Sequence, residues 1–224
     1  MAVTAVIFDM DGLMFDTERL ARDAWRRAMA EHGYALDDDL YLAAVGLTLE
    51  GACRVFVDAF GPELPIDDVE AAKAGYLREM LEPGPPLKHG LLDLLDGLEA
   101  LGLPKAVASA TARAEVERRL ARVDLLARFG GVVGGDEVAR GKPAPDLFLL
   151  AGERLGASPA GCIVFEDSEA GVKAAAAAGM AVVVVPDLVE PSPSVRALAT
   201  AVLPSLAEAL EVVGAWGGTK ASSS

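Results

Sequence analysis

Cysteine and histidine are scarce, with two of each in 224 residues. Cys53 and Cys162 have neither a pairing pattern nor metal-ligand spacing, so no disulfide framework or zinc site is expected. The chain reads as a reduced, cytoplasmic protein. Basic residues are outnumbered, 20 against 34 acidic, for a formal net charge of -14. Such a field repels nucleic acid and anionic membranes, and both are discounted as partners. It also repels phosphorylated metabolites, so an anion site would need local cations or a metal. Long apolar runs are missing too. The longest uncharged stretch, 174–186, contains Gly179 and falls short of the ~20 residues of a membrane span. No basic region precedes an apolar stretch with a small-residue cleavage site, so no targeting segment is expected. The terminal "GGTKASSS", 217–224, reads as a frayed end.

What is present is enough apolar sequence, 52% of residues, for one good core with a small appended domain. Short apolar runs at 3–8, 105–108, 132–133, 162–165, 181–185 and, more weakly, 201–203 read as buried strands. Helical patterns lie between them at 114–122, 145–155 and 169–178. Asp146 falls in the first turn of the second, and Ser168 and Gly179 cap the third. This alternation predicts an α/β fold, a parallel sheet with helices on both faces. Residues 17–85 break it. Helical periods at 20–32, 39–45, 48–59 and 66–81 are separated by Gly33, Gly46, "GPELP" and "EPGPP", with no convincing strand. The expected organisation is a core of residues 1–16 and 86–224 with a helical insertion at 17–85. No tandem repeat is evident.

In an open α/β sheet, ligands sit beyond the carboxyl ends of the strands. There the chain places Asp9 and Asp11 ("VIFDMDG"), Ser109 and Thr111 ("AVASAT"), Lys142 ("ARGKPAPD"), and Glu166 with Asp167 ("IVFEDS"). Clustered carboxylates must share protons or bind a cation. Oxygen donors favour Mg²⁺, which commonly pairs with substrate phosphate. Lys142 and a hydroxyl can take further phosphate oxygens. Gly12 permits a tight turn whose amides could face an anion. With no cysteine or well-placed histidine nearby, the nucleophile is read as Asp9. Asp11 then protonates the leaving oxygen and later deprotonates water. Thr111 is read as an N-cap, and Asp146 as capping or charging its helix N-terminus, from where it could also orient Lys142. His32 and His89 are not expected to be catalytic, and Trp25 is expected in a core.

The four motifs "DMDG", "ASAT", "GKPAPD" and "FEDSEAG", in this order, resemble those of the haloacid dehalogenase superfamily. The resemblance implies a Rossmann-like core with a small helical cap. It implies phosphatase chemistry through an aspartyl-phosphate on Asp9, and Mg²⁺ held by Asp9, Asp167 and the main-chain carbonyl of Asp11, with Glu166 in or near the metal shell. Ser109, Ala110, Gly12 and Glu18 are expected on the substrate. "DMDGLMFDTERL" is similar to the branch of sugar-phosphate and nucleotide phosphatases near β-phosphoglucomutase. The implied partner is a small phosphorylated metabolite, and the chain is expected to be a monomer or weak dimer.

Three alternatives stay open. A phosphosugar mutase is disfavoured because Ala21 and Leu49 stand where the mutase pattern has a histidine and an arginine. A non-catalytic phospho-ligand binder would not need Asp11. Carbon–halogen hydrolysis would leave Asp11 and Asp167 unexplained. Cap residues Glu18, Arg19, Arg22, Glu50 and Arg54 are candidates for substrate choice, although a polar helix face is more often simply solvated.

Overall fold

The structure, a computed structural model, describes residues 3–217; the expected frayed tail lies outside them apart from Gly217. Strand β1 (Ala5–Phe8) is followed by helices α1 (Thr17–Glu31), α2 (Asp38–Ala44), α3 (Leu49–Phe60), α4 (Ile66–Leu81) and α5 (Leu91–Ala100). Then come β2 (Lys105–Ala108), α6 (Arg113–Arg122), β3 (Gly131–Val133), α7 (Asp146–Arg154), β4 (Cys162–Glu166), α8 (Glu169–Ala177), β5 (Ala181–Val184), α9 (Pro193–Arg196), β6 (Ala201–Val202) and α10 (Ala209–Gly217). The chain divides into two compact units, residues 3–15 with 86–217, and Asp16–Pro85. Among the described residues no helix is long and apolar enough to cross a membrane.

The first unit is an α/β core. Its six strands run parallel in the order β3-β2-β1-β4-β5-β6. β1 lies between β2 and β4, with Val6 opposite Lys105 and Ala5 opposite Cys162. Successive side chains of a strand point to opposite faces. Val6 and Phe8 therefore join one apolar cluster, with Leu91, Leu94, Leu98, Val116 and Leu206. Ala5 and Ile7 join the other, with Leu147, Phe148, Ala151 and Val172. Burial on both faces explains why the strands read as unbroken apolar runs. Phe8 stacks on its neighbour Phe165 at 5.3 Å between ring centroids, and truncating such a residue costs about 3–5 kcal/mol.

The strand order reverses between β1 and β4, the topological switch point at which α/β sheets open a crevice. Ladder bonds continue one residue past the strands. Asp9 N–H donates to the Phe165 carbonyl (3.0 Å), and Ser109 N–H to that of Val133 (3.0 Å). The backbone at this edge is thus held as firmly as the sheet.

The second unit is helical. Trp25 of α1 is buried, as expected, and meets Phe56 of α3 edge-on at 4.9 Å, with Ala28, Met29, Val69 and Leu81 also buried. Asp37 caps α2 by accepting from Leu40 N–H (2.8 Å), and Thr48 caps α3 by accepting from Gly51 N–H (3.2 Å). Helix α1 begins three residues before the predicted start. Its first turn, "TER", is polar and carries no apolar period. Helix α5 has no counterpart in the sequence reading, because "LLDLLDGLEA" combines a run of leucines with an internal glycine.

Candidate active site

The loop after β1 and the loop after β4 lie against each other, and Gly12 makes this possible. Its φ of +84° is a left-handed conformation, and a Cβ there would overlap the carboxylate of Asp167. Of the turn's amides, that of Gly12 donates to the Phe15 carbonyl (2.9 Å), inside the turn, and so does not face an anion.

Lys142, on the loop between β3 and α7, is the hub of the buried edge. Its ammonium donates to Asp9 Oδ1 and to Glu166 Oε1, the latter at 2.6 Å, and lies 5.0 Å from the centroid of the Phe148 ring. Only 8–9% of the Lys142 and Asp9 side chains is exposed, and none of Glu166. The second Glu166 oxygen accepts from Asp167 N–H (2.9 Å), Ser168 N–H (2.8 Å) and the Ser168 hydroxyl (2.9 Å). Ser168 Oγ in turn accepts from Gly171 N–H (3.1 Å) and caps α8, as predicted. A Cβ on Gly171 would collide with the Glu166 carboxylate. Both Glu166 oxygens therefore have protein donors, and the residue ties Lys142 to the start of α8.

Carboxylate oxygens of Asp9, Glu166 and Asp167 lie within 4.8 Å of one another. Burial pushes Asp9 up to about 8; Glu166 and Asp11 push the same way, and Lys142 opposes them. Burial works against the Lys142 charge, but Asp9 and Glu166 outweigh it and hold the ammonium above its ordinary value. Three carboxyl groups and one ammonium meet in this cluster. The donors are all oxygen, so the set fits a hard divalent cation, whose charge would bring Asp9 back down.

Asp11 has a different setting. Its Oδ1 accepts from Arg119 of α6 at 2.8 Å, and its Oδ2 accepts from the Thr111 hydroxyl at 3.1 Å. Arg119 is also held by Glu115 (2.7 Å), which makes a two-pronged pair with Arg118. Thr111 is therefore not the N-cap of α6. That position belongs to Ala112, which has no capping oxygen, and Asp136 accepts from Arg113 N–H instead (2.8 Å). Ser109 is buried and its Oγ accepts from Thr111 N–H (3.1 Å), while Ala110 is exposed between them.

The family model described as "haloacid dehalogenase-like hydrolase" matches residues 3–179. This chain belongs to that family. It is 38% identical over 213 residues to a protein of Drosophila melanogaster described as a probable pseudouridine-5'-phosphatase, covering 92% of this chain and 91% of the other. It is 35% identical over 179 residues to the fructose-1-phosphate phosphatase YqaB of Escherichia coli, covering 78% and 92%. The crystal structure of a HAD family hydrolase from Deinococcus radiodurans, with bound phosphate and sodium, superposes with a TM-score of 0.79 at 28% identity, covering 96% of each chain.

Two further candidate residues of this haloacid dehalogenase-like hydrolase have partners of their own. Glu18 belongs to the helical unit, where Tyr41 donates to its carboxylate (3.2 Å). Asp146 lies in the first turn of α7 and charges that helix N-terminus, as expected, although the N-cap is Pro145; it does not hold Lys142 but takes a two-pronged pair from Arg140 at 2.8 and 3.0 Å. Arg119 escaped the sequence reading. Its one signal is the Glu115 spacing, which reads as an ordinary i,i+4 surface pair.

Proposed function

We propose that this phosphatase of the haloacid dehalogenase superfamily hydrolyses a small phosphorylated metabolite, a sugar, polyol or nucleoside monophosphate, through an aspartyl-phosphate on Asp9. One observation carries the reading: buried Asp9, Lys142 and Glu166 meet half-buried Asp167 in one cluster at the switch point of the sheet. In the first half-reaction an Asp9 oxygen attacks phosphorus and the bond to the leaving oxygen breaks, with Asp11 delivering the proton. In the second, water attacks the aspartyl-phosphate and gives its proton to Asp11. Phosphate leaves and Asp9 is restored.

Lys142 stabilises the charge that develops on the phosphoryl oxygens, and Glu166 keeps it in place. Ser109 and Ala110 offer a hydroxyl and an amide to the same oxygens. Mg²⁺, held by Asp9, Asp167 and the Asp11 main-chain carbonyl, supplies neutralising charge when bound. Glu166, with its oxygens engaged, serves this edge through Lys142. Residues 17–85, Glu18 among them, are assigned substrate choice. The relatives' names support the substrate class, and they span sugar and nucleotide esters, so the metabolite is left at that class.

The test is phosphate release from a panel of phosphomonoesters with Mg²⁺ and with chelator. Turnover should require Mg²⁺, and Asp9→Asn should abolish it. Near wild-type turnover by that variant would remove Asp9 as nucleophile. Binding without release from any ester would make the chain a phospho-ligand binder, and chloride release from a 2-haloacid in chelator would make it a dehalogenase. Ala21 and Leu49 argue for hydrolysis over mutation: neither side chain can move a proton or grip a second phosphate. Conversion of β-glucose 1-phosphate to glucose 6-phosphate without phosphate loss would reverse that choice.

A further inference from the structure

We infer that Arg119 is a positioning residue for the proton-transfer step: with Thr111, it orients the carboxylate of Asp11. The inference rests on the reading of Asp11 as the acid–base group. Asp11 follows β1 by three residues, in the loop that turns at Gly12. Helix α6 and the loop that leads into it hold the carboxylate. One oxygen takes the Arg119 guanidinium at 2.8 Å and the other the Thr111 hydroxyl at 3.1 Å. Two donors on two oxygens fix rotation about the side chain as well as its position.

The holders are themselves held. Arg119 is 12% exposed, and its Nε is bonded to Glu115 at 2.7 Å while Nη1 reaches Asp11, so two partners fix the plane of the guanidinium. Thr111 is tied through its amide to Ser109 Oγ at 3.1 Å, one residue past the buried strand β2. Meanwhile 29% of the Asp11 side chain stays exposed, so the carboxylate is held without being enclosed. Such orientation matters because proton transfer needs its heavy atoms within hydrogen-bond reach and aligned. Neither Arg119 nor Thr111 belongs to the cluster around Lys142, so this is a second network at the same sheet edge.

A leaving-group comparison tests this. An alkyl phosphate such as glycerol 2-phosphate needs a proton on its departing oxygen; 4-nitrophenyl phosphate does not. The readout is the ratio of kcat/KM for the two esters, because kcat/KM reports the steps through departure of the alcohol. Arg119→Met should lower the alkyl value about 10-fold or more, within the range of general acid catalysis, and the aryl value by less than about 3-fold. Arg119→Lys should restore part of the ratio, and Thr111→Val should lower it in the same sense. A purely structural loss would lower both esters alike and leave the ratio unchanged, as would irrelevance of Arg119; either result overturns the inference. A ratio that rises would also overturn it, since Arg119 would then be restraining Asp11. Should Arg119→Met not fold, Arg119→Lys and Thr111→Val carry the test, and two unchanged ratios decide against it. Asp11→Ala separates the two readings. If it collapses the ratio and the other variants do not, only the role of Arg119 fails; if it leaves the ratio unchanged, the assignment of Asp11 fails and takes this inference with it.

Discussion

Both units of this protein carry solvated ion pairs, but the α/β core also buries charge. In the α/β core, Lys142, Asp9 and Glu166 are almost wholly withdrawn from water and bonded to one another. In the helical unit, ion pairs such as Arg27 with Glu79 and Arg54 with Glu50 stand largely in solvent. Desolvating several charges costs several kcal/mol per ion. A sequence that keeps them buried at a sheet edge, where apolar residues would pack more cheaply, points to chemistry there. Solvated pairs carry no such message. They keep a helix wet, and their geometry is silent about substrate.

The largest break in this comparison is Lys142→Met. Removing the ammonium leaves Asp9 and Glu166 buried without their counter-charge, and losing one partner of a buried pair costs about 3–5 kcal/mol. Chemical unfolding of the metal-free protein should show that loss, and phosphate release should vanish with it. A variant of unchanged stability would mean that the buried cluster carries no energetic tension.

A smaller effect is expected from Gly171→Ala. The new methyl would overlap the Glu166 carboxylate, which must shift away from Lys142 and from the Ser168 donors. Overpacking of this kind costs about 1–3 kcal/mol, offset in part by the ~1 kcal/mol by which alanine favours a helix over glycine. Turnover should fall further than stability, because Lys142 loses its anchor. Equal losses would assign Glu166 to packing alone.

How far the sequence reveals these features follows from the same contrast. Strands buried on both faces betray themselves as apolar runs, and the polar residue after each run is marked by position; Asp9 and Asp167 were legible for that reason, whereas Lys142, well past β3, was marked by "GKPAPD". The Asp11 network was not. Arg119 lies 108 positions from Asp11 and sits among Arg118 and Arg122 on a helix that reads as solvated. Only the phase of α6 against the β1 loop brings the two together, and phase across a sheet is invisible to local periodicity. Thr111 was legible as a hydroxyl at a strand end but not by its partner. The inward bond of the Gly12 amide was not legible, because a glycine turn reads the same whether a given N–H faces a ligand or its own loop.

Between the buried and the exposed pairs lies Glu115. The hydrogen bonds of Arg118 hold it down to about 2 against an ordinary 4.5, with burial opposing and Arg119 assisting. A carboxylate with a depressed value stabilises the fold above its unfolded pKa and loses that contribution as pH falls through its folded one. The Glu115 contribution is therefore complete at pH 5 and declines from about pH 4.5 toward 2. Urea midpoints at pH 5 and pH 3 should converge for wild type and Glu115→Gln as pH falls. Parallel midpoints would show that the charge of Glu115 adds nothing.

The smallest expected effect is the sharpest test of the contrast. Arg54 and Glu50 form an i,i+4 pair on α3 at 2.8 Å, with 69% and 82% of their side chains exposed. Glutamate N-terminal to its cationic partner is the favourable orientation on a helix, yet such pairs are worth about 0.3–0.5 kcal/mol. Salt screens them further, since the Debye length shrinks to about 3 Å at 1 M. Arg54→Ala should thus shift the urea midpoint barely, and high salt should erase the shift, whereas the deficit of Lys142→Met should persist in salt. A loss above about 1 kcal/mol would mean that the pair is not simply solvated. If instead stability holds while kcat/KM falls on one ester of the panel and not on others, Arg54 reads the substrate. Charge in the helical unit would then divide into solvated and selecting residues, a distinction that exposure alone does not make.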